Sequence, residues 1–295
     1  MFRQDRTNPS TAVSNWRGRH DTPKAWPSSA VSSWLNGGLF GGAALTAFGG
    51  IITQYTDSGT TYRVHTFRGS GKFYVASGSA DVDLLIVAGG GGPGKGGGGA
   101  GGVRHKTGVA VSAGTYTITV GAGGEGGIWT SKPQASDGGN TSALGFTTTG
   151  GGKGGMYTGS SYNLGGAGGS GGGTNYSGSG GAGNAGGYTP VEGFQGGNSS
   201  STAGGGASAS PVVGVGGAGL AGMIGISATT RTYGGGGSGN NAVSPRGAGV
   251  GGGGALDTGG VPNTGGGGGA KTTASTDPPP YGGTGIVLIR YEVAA

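Results

Sequence analysis

The stretch LLIVAGGGGPGKGGGG, residues 84–99, carries a spacing that invites nucleotide chemistry. Gly89, Gly94 and Lys95 satisfy G-x-x-x-x-G-K directly after a strand-like run, where a phosphate-binding loop sits. Such a loop needs a hydroxyl after the lysine to hold magnesium, and a helix whose N-terminus carries the phosphates. Gly96 stands where the hydroxyl should be, and the run from Gly96 to Gly99 cannot begin a helix, so the phosphate reading is set aside. Asp81 and Asp83 project to one side of a strand and could form a carboxylate pair for acid–base work or a calcium ligand set. The plainer reading, preferred here, is the solvated start of a strand. His65 alternates with Arg63 and Phe67 in YRVHTF and reads as a partly buried structural histidine rather than a ligand. The three His and 11 acidic residues are dispersed, with no H-E-x-x-H and no G-x-S-x-G elbow in strand-turn-helix context. No enzyme, cofactor or metal is therefore expected.

The elements that must position these residues are unusual in composition. Gly supplies 84 of 295 residues and hydrophobic residues only 32 %, so a conventional core must be small and local. Collagen is excluded because Pro numbers only 12 and glycine keeps no strict period of three. A purely flexible linker has no use for the Tyr, Phe, Leu, Val and Ile interleaved with the glycine, so order is expected. Cys is absent, which removes disulfides and thiolate zinc sites. MFRQDRTNPS lacks an apolar leader core, and WLNGGLFGGAALTAFGGII is interrupted by glycine pairs, so neither a signal peptide nor membrane insertion is expected. The net charge of +6 is uneven: Arg3, Arg6, Arg17, Arg19 and Lys24 crowd the start, and no Arg-Gly-Gly triplet occurs. Nucleic acid is accordingly not an expected partner.

Four regions follow. Residues 1–50 form an irregular head with Trp16, Trp26 and Trp34, which either fill pockets on another chain or pack back on the body. Residues 51–150 read as strands: IITQY and TYRVHTF flank the turn TDSGT as a hairpin, followed by KFYVAS, DVDLLIVA and TYTITV. In the last of these Tyr116, Ile118 and Val120 share the buried face and the threonines the wet one. Residues 151–280 form a glycine-rich insertion, and residues 281–295 a closing strand, GIVLIRYEV. From Gly150 to Gly269 glycine fills 49 of 120 positions, which admits neither helix nor an ordinary packed sheet. Ordering each glycine costs about 0.5–1 kcal/mol more than alanine, and side-chain burial cannot offset that. Backbone hydrogen bonds between close-packed chains can, so packed polyglycine-II helices are expected, with irregular ordered loops as the alternative. The predicted fold is mainly β, an antiparallel β-sandwich closed by its first and last strands.

HTFRGSGKFYV, DLLIVAGGGG, GGGGAGGV, VSAGTYTITVGAGGEGG, DGGNTSALG and YGGTGIVLIRYEV resemble, in this order, the glycine-rich domain of bacteriophage tail-fibre and other virion surface proteins. The resemblance covers about residues 62–150 and 281–293, and between 151 and 280 only composition agrees. It implies a virion surface protein with a β-sandwich core, in a family where some adhesins pack polyglycine helices. The resulting expectation is a tail-fibre or fibre-tip component that presents a glycine-rich surface for host attachment; the alternative is capsid decoration. Trp16, Arg17, Arg19, Trp26 and Trp34 are the candidates for attachment to other virion proteins. Tyr157, Tyr162, Tyr176, Tyr188, Phe194 and Tyr233 are the candidates for a host glycan or protein, or else pegs between glycine loops. The resemblance implies a homotrimer, since phage fibres are usually trimers, and a small core benefits from oligomeric burial.

Overall fold

A computed structural model describes residues 45–127, 134–158, 161–162, 164–175, 178–198, 202–224, 227–240, 246–272 and 280–293. Residues 157–158, 161–162 and 223 are described by their backbone alone. Residues 1–44, most of the head with its Trp16, Arg17, Arg19, Trp26 and Trp34, lie outside the described residues, and only its last stretch, 45–50, is described.

The expectation of a mainly β fold holds, and no helix occurs among the described residues. β1 (Thr46–Phe48), β2 (Ile51–Asp57), β3 (Thr60–Phe67), β4 (Gly71–Val87) and β5 (Val103–Ile118) are followed by β6 (Thr141–Ala143) and β7 (Phe146–Thr148). Short pieces β8 (Tyr157–Thr158), β9 (Ser161–Tyr162), β10 (Leu220–Met223) and β11 (Arg231–Tyr233) precede β12 (Ile286–Glu292). Six strands form one antiparallel sheet in the order β1-β4-β12-β3-β2, with β5 on the other side of β4. The hairpin read from TDSGT is present, its turn made by Ser58 and Gly59, both with positive φ. KFYVAS and DVDLLIVA are a single 17-residue strand, bent near Gly78, where φ is +82° and the register to β5 shifts.

That bend corrects the expected architecture. Phe73 and Val75, from the first half of β4, share one cluster with Leu84 and Ile86 from its second half, so the strand curls over its own core. One sheet thereby supplies both walls of an antiparallel half-barrel, where two facing sheets were expected. The last strand does not close an edge: β12 lies at the centre, bonded to β3 on one side and β4 on the other. Alternation along the central strands divides the apolar residues in two. Leu84, Ile86, Val287 and Ile289 fill the half-barrel with Ile118, whereas Leu85, Val87, Ile286 and Leu288 face Ala207, Ile224 and Tyr233 of the glycine zone. Strands buried on both faces read as continuous apolar runs, which LLIV and IVLI are.

The strands lead directly into glycine. β4 and β5 continue past Val87 and before Val103 as two antiparallel segments that meet at Lys95, still linked by Ala88 N–H to Gly102 C=O and Gly91 N–H to Gly99 C=O. The β6–β7 ladder likewise opens into 135–140 and 149–156, and β10–β11 into 215–219 and 234–240. The glycine zone is therefore not confined to 151–280, since 88–102, 121–127 and 135–140 belong to the same bonded array.

Candidate functional site

The segment quoted at the outset lies at the middle of this array. Gly96, Gly99 and Gly102 donate to the carbonyls of Gly155, Gly152 and Thr149 at 2.8–2.9 Å. Gly97 and Ala100 donate to Thr202 and Gly205, and Gly98 and Gly101 to Gly268 and Gly265. In return, Gly97 and Ala100 accept from Gly173 and Ser170, Gly98 from Gly237, and Gly99 from Gly91. Six segments surround this one, and five of them are met again after three residues. The partner segment repeats the pattern: Gly89 and Gly92 donate to Gly139 and Ser136 and accept from Gly151 and Gly154.

Close approach explains the residue type. A Cβ at Gly98 would lie 2.0 Å from the Gly91 oxygen, one at Gly152 1.9 Å from the Gly166 oxygen, and one at Gly237 1.9 Å from the Gly268 oxygen. Where the array gives way to side chains, their oxygens continue the repeat. Asp137 Oδ1 accepts from Lys153 N–H and Asn140 Oδ1 from Gly150 N–H, both at 2.8 Å and again three residues apart.

This bonding bears on the lysine motif. The N–H groups of Gly89, Gly90, Gly91, Gly92 and Gly94 all donate to backbone carbonyls at 2.8–3.0 Å. A phosphate needs those same groups pointing inward at it, so the local backbone is built for its neighbours.

The register also sorts the array into two ends. Gly102, Thr149 and Val103, the last bonded to Glu192, lie at the sheet; Gly96, Gly155, Thr202 and Lys271, whose N–H donates to Gly94, lie at the far end. The β8–β9 ladder pairs the backbones of Tyr157 and Tyr162 immediately beyond Gly155. Their side chains, and Tyr176 altogether, lie outside what is described.

The other receptor candidates fall elsewhere. Tyr188 sits at the sheet end with the Arg104 guanidinium 3.8 Å over its ring. Its loop is held by Asn184, which accepts from Tyr188 N–H and donates to Tyr188 C=O, and by the fully buried Glu192, which accepts from Thr148 Oγ1, Thr149 N–H and Gly186 N–H. Nothing in the sequence singled out Glu192, because an isolated acid among glycines looks like a solvated residue. Phe194 is 37 % exposed, with its N–H and C=O bonded to Gly206 and Gly171. Tyr233 requires a correction as a receptor candidate: it is 2 % exposed, covering the outer face of the sheet beside Leu85 and Leu288. Burial of its ring there raises the phenol's pKa above the ordinary value.

At the opposite end of the sheet Asp83 accepts from Arg290 Nε at 3.1 Å and Nη2 at 2.5 Å, Arg290 Nη1 donates to Tyr55 Oη, and the guanidinium lies 4.7 Å over the Tyr62 ring. An open cavity of about 230 Å³ adjoins this pair and is lined by Asp81 and Glu292 as well. Among the described residues no group of three or more His, Asp or Glu is placed to hold a metal ion. His65 is fully buried, with Nδ1 2.7 Å from the Gly49 carbonyl and Nε2 3.1 Å from Tyr291 Oη. Burial lowers its pKa, against the opposing effect of the Gly49 bond, and the structural reading of this histidine holds. Burial lowers the pKa of His105 too, although Asp83 opposes it.

No curated protein matches this sequence. A family model for a glycine-rich domain matches residues 66–292, which takes in every strand from the end of β3 to β12 and the whole array between them. By that match, and by a backbone in which glycine itself is the bonding surface, the chain belongs to the glycine-rich domain family.

Proposed function

We propose that the glycine segments are packed polyglycine-II helices, and that this array is a rigid pedestal in a structural protein of the virion surface. The single observation that supports this most is the step of three in the hydrogen bonds around Gly96–Gly102. A polyproline-II helix has three residues per turn, so N–H groups three apart point to the same neighbour and successive ones turn by a third of a circle. Such a helix surrounded on six sides has no freedom to bend, and it leaves few backbone groups for a ligand along its length.

What a pedestal offers is its far end, where the β8–β9 ladder and the segments at Thr202 and Lys271 lie. Together with the resemblance to phage tail-fibre proteins, this favours a tail-fibre or fibre-tip component that displays Tyr157, Tyr162 and Tyr176 to a host glycan or protein. The head, with Trp16, Arg17, Arg19, Trp26 and Trp34, attaches it to other virion proteins. Catalysis has no part in this reading.

Immunogold labelling of purified particles should place the chain at the tail, and Tyr157→Ala with Tyr162→Ala should weaken host-cell binding about tenfold or more without changing the melting temperature. Label on the capsid, or binding untouched by the double substitution, overturns the host-attachment role.

A further inference from the structure

The outer face of the sheet changes character along its length. Leu85 and Leu288 pack against the glycine zone, but two residues further from it the same strands carry Asp83 and Arg290, which are register partners. One more step of the alternation brings Asp81 and Glu292, and the partner of Glu292 on β3 is Tyr62. These five residues, with Ala80 and Tyr291, line the open cavity of about 230 Å³.

The walls select among ligand classes. The volume lies below the roughly 300–1,000 Å³ of sites for drug-sized molecules, so it suits a single small ring. An apolar ligand finds only Ala80 and the tyrosines. Among the described residues no group of three or more acids is placed to hold a metal ion. An anion meets the carboxylates of Asp81, Asp83 and Glu292, and a cation at the centre meets the Arg290 guanidinium. A neutral ligand rich in hydroxyls meets no like charge, and every hydroxyl can both donate and accept.

The hydrogen-bonding groups left over match such a ligand. Nε and Nη2 of Arg290 both donate to Oδ2 of Asp83, so Oδ1 accepts nothing among the described residues. Nη1 donates to Tyr55 Oη, which leaves one N–H on each of Nη1 and Nη2. The ion pair thus holds an acceptor beside two donors before any ligand arrives. Asp81 and Glu292 are exposed, form no ion pair among the described residues, and add acceptors at the rim. The Tyr62 ring is fixed by the guanidinium 4.7 Å over it and supplies an apolar wall.

We propose that this cavity binds one pyranose ring of a carbohydrate. Two neighbouring hydroxyls engage Asp83 Oδ1 and the spare N–H groups of Arg290, and further hydroxyls donate to Asp81 and Glu292. The site is already ordered, so binding freezes few side chains. It lies at the opposite end of the molecule from the far end of the glycine array and does not depend on the role proposed there.

The full chain, labelled with ¹⁵N, is titrated separately with the methyl glycosides of glucose, galactose, mannose and N-acetylglucosamine. At least one should shift the backbone amides of Asp83, Arg290 and Tyr62 saturably, with a dissociation constant of roughly 1–10 mM. Asp81→Ala and Glu292→Ala should each weaken it about fivefold or more, with the rest of the amide spectrum unchanged. Shifts confined to Tyr157 and Tyr162 belong to the far end and overturn the cavity as the site while leaving the far-end role standing. The proposal is equally overturned if no glycoside moves these amides, if butylammonium saturates them and the glycosides do not, or if both folded variants bind as tightly as the wild type.

Discussion

Replacing Gly98 by alanine should be among the most damaging single methyl additions this chain can suffer. Its φ is not in the left-handed region, so the backbone itself accepts a side chain. Where nothing is near, such a change stabilises by about 0.5–1 kcal/mol through the unfolded state. At Gly98, however, the new Cβ would lie 2.0 Å from the Gly91 oxygen and 3.1 Å from the Gly268 nitrogen, whereas ordinary contact begins at 3.4 Å. The neighbouring segment must withdraw by the difference, 3.4 − 2.0 = 1.4 Å. That parts Gly98 N–H from Gly268 C=O, Gly268 N–H from Gly91 C=O and Gly91 N–H from Gly99 C=O, now 2.8, 3.1 and 2.8 Å. Three buried bonds at about 1–3 kcal/mol each give about 3–9 kcal/mol. Less the entropic gain, the loss is about 2–8 kcal/mol, a large share of the roughly 5–15 kcal/mol that holds a domain together. Urea unfolding followed by tyrosine fluorescence measures it. Gly69, which has nothing within 4 Å of an added Cβ and no positive φ, is the control, and its alanine variant should be neutral or slightly stabilised. If Gly98→Ala unfolds within about 1 kcal/mol of the wild type, the array does not depend on bare backbone contact.

Two further outcomes test the sheet and its junction. Glu192→Ala removes the acceptor of Thr148 Oγ1, Thr149 N–H and Gly186 N–H and should cost about 2–4 kcal/mol, with faster amide exchange at Gly186; exchange unchanged there would refute its anchoring role. His65 and His105 both have pKa values lowered by burial from 6.5, so the unfolded chain binds more protons than the folded one below that pH. Their contribution to stability is complete above pH 6.5 and declines as pH falls toward the folded values. Urea midpoints should drop between pH 7.5 and 5, and less so in His65→Gln; a midpoint that rises on acidification contradicts the assignment.

The parts of the fold that side chains specify were legible. The hairpin at Ser58–Gly59 followed from turn chemistry, and in β5 Ile118 is buried and Tyr116 partly so while Thr115 and Thr117 are exposed, as the alternation of TYTITV requires. The union of KFYVAS and DVDLLIVA was not legible, since the intervening Gly-Ser reads as a turn and serves as a bend within one strand. The central place of β12 was hidden because its strong apolar run fits a closing edge or a core position equally well in one dimension. Within the array, glycine carries no face and no period of its own. The composition pointed to backbone bonding, but which segment meets which is decided by where each ladder of the sheet releases its two ends. Glu192 and Asn184 were invisible for a related reason: their partners are mostly backbone groups, which every residue has.

The continuity of β4 and β5 into residues 88–102 solves a difficulty that any featureless polymer faces. Three-residue slippage of a glycine rod past its neighbours would restore nearly every bond, so such rods on their own have many equivalent alignments. Leu84 to Val87 and Val103 have only one, because each occupies a defined position in a packed core. The sheet thus acts as a vernier that fixes the phase of everything attached to it. If the segments are polyglycine-II helices as proposed, a length change of three residues in opposing rods would move the tip by about 9 Å while leaving both the core and the tip segments unaltered. On the role proposed above, reach and recognition would in this way be adjusted separately in one chain.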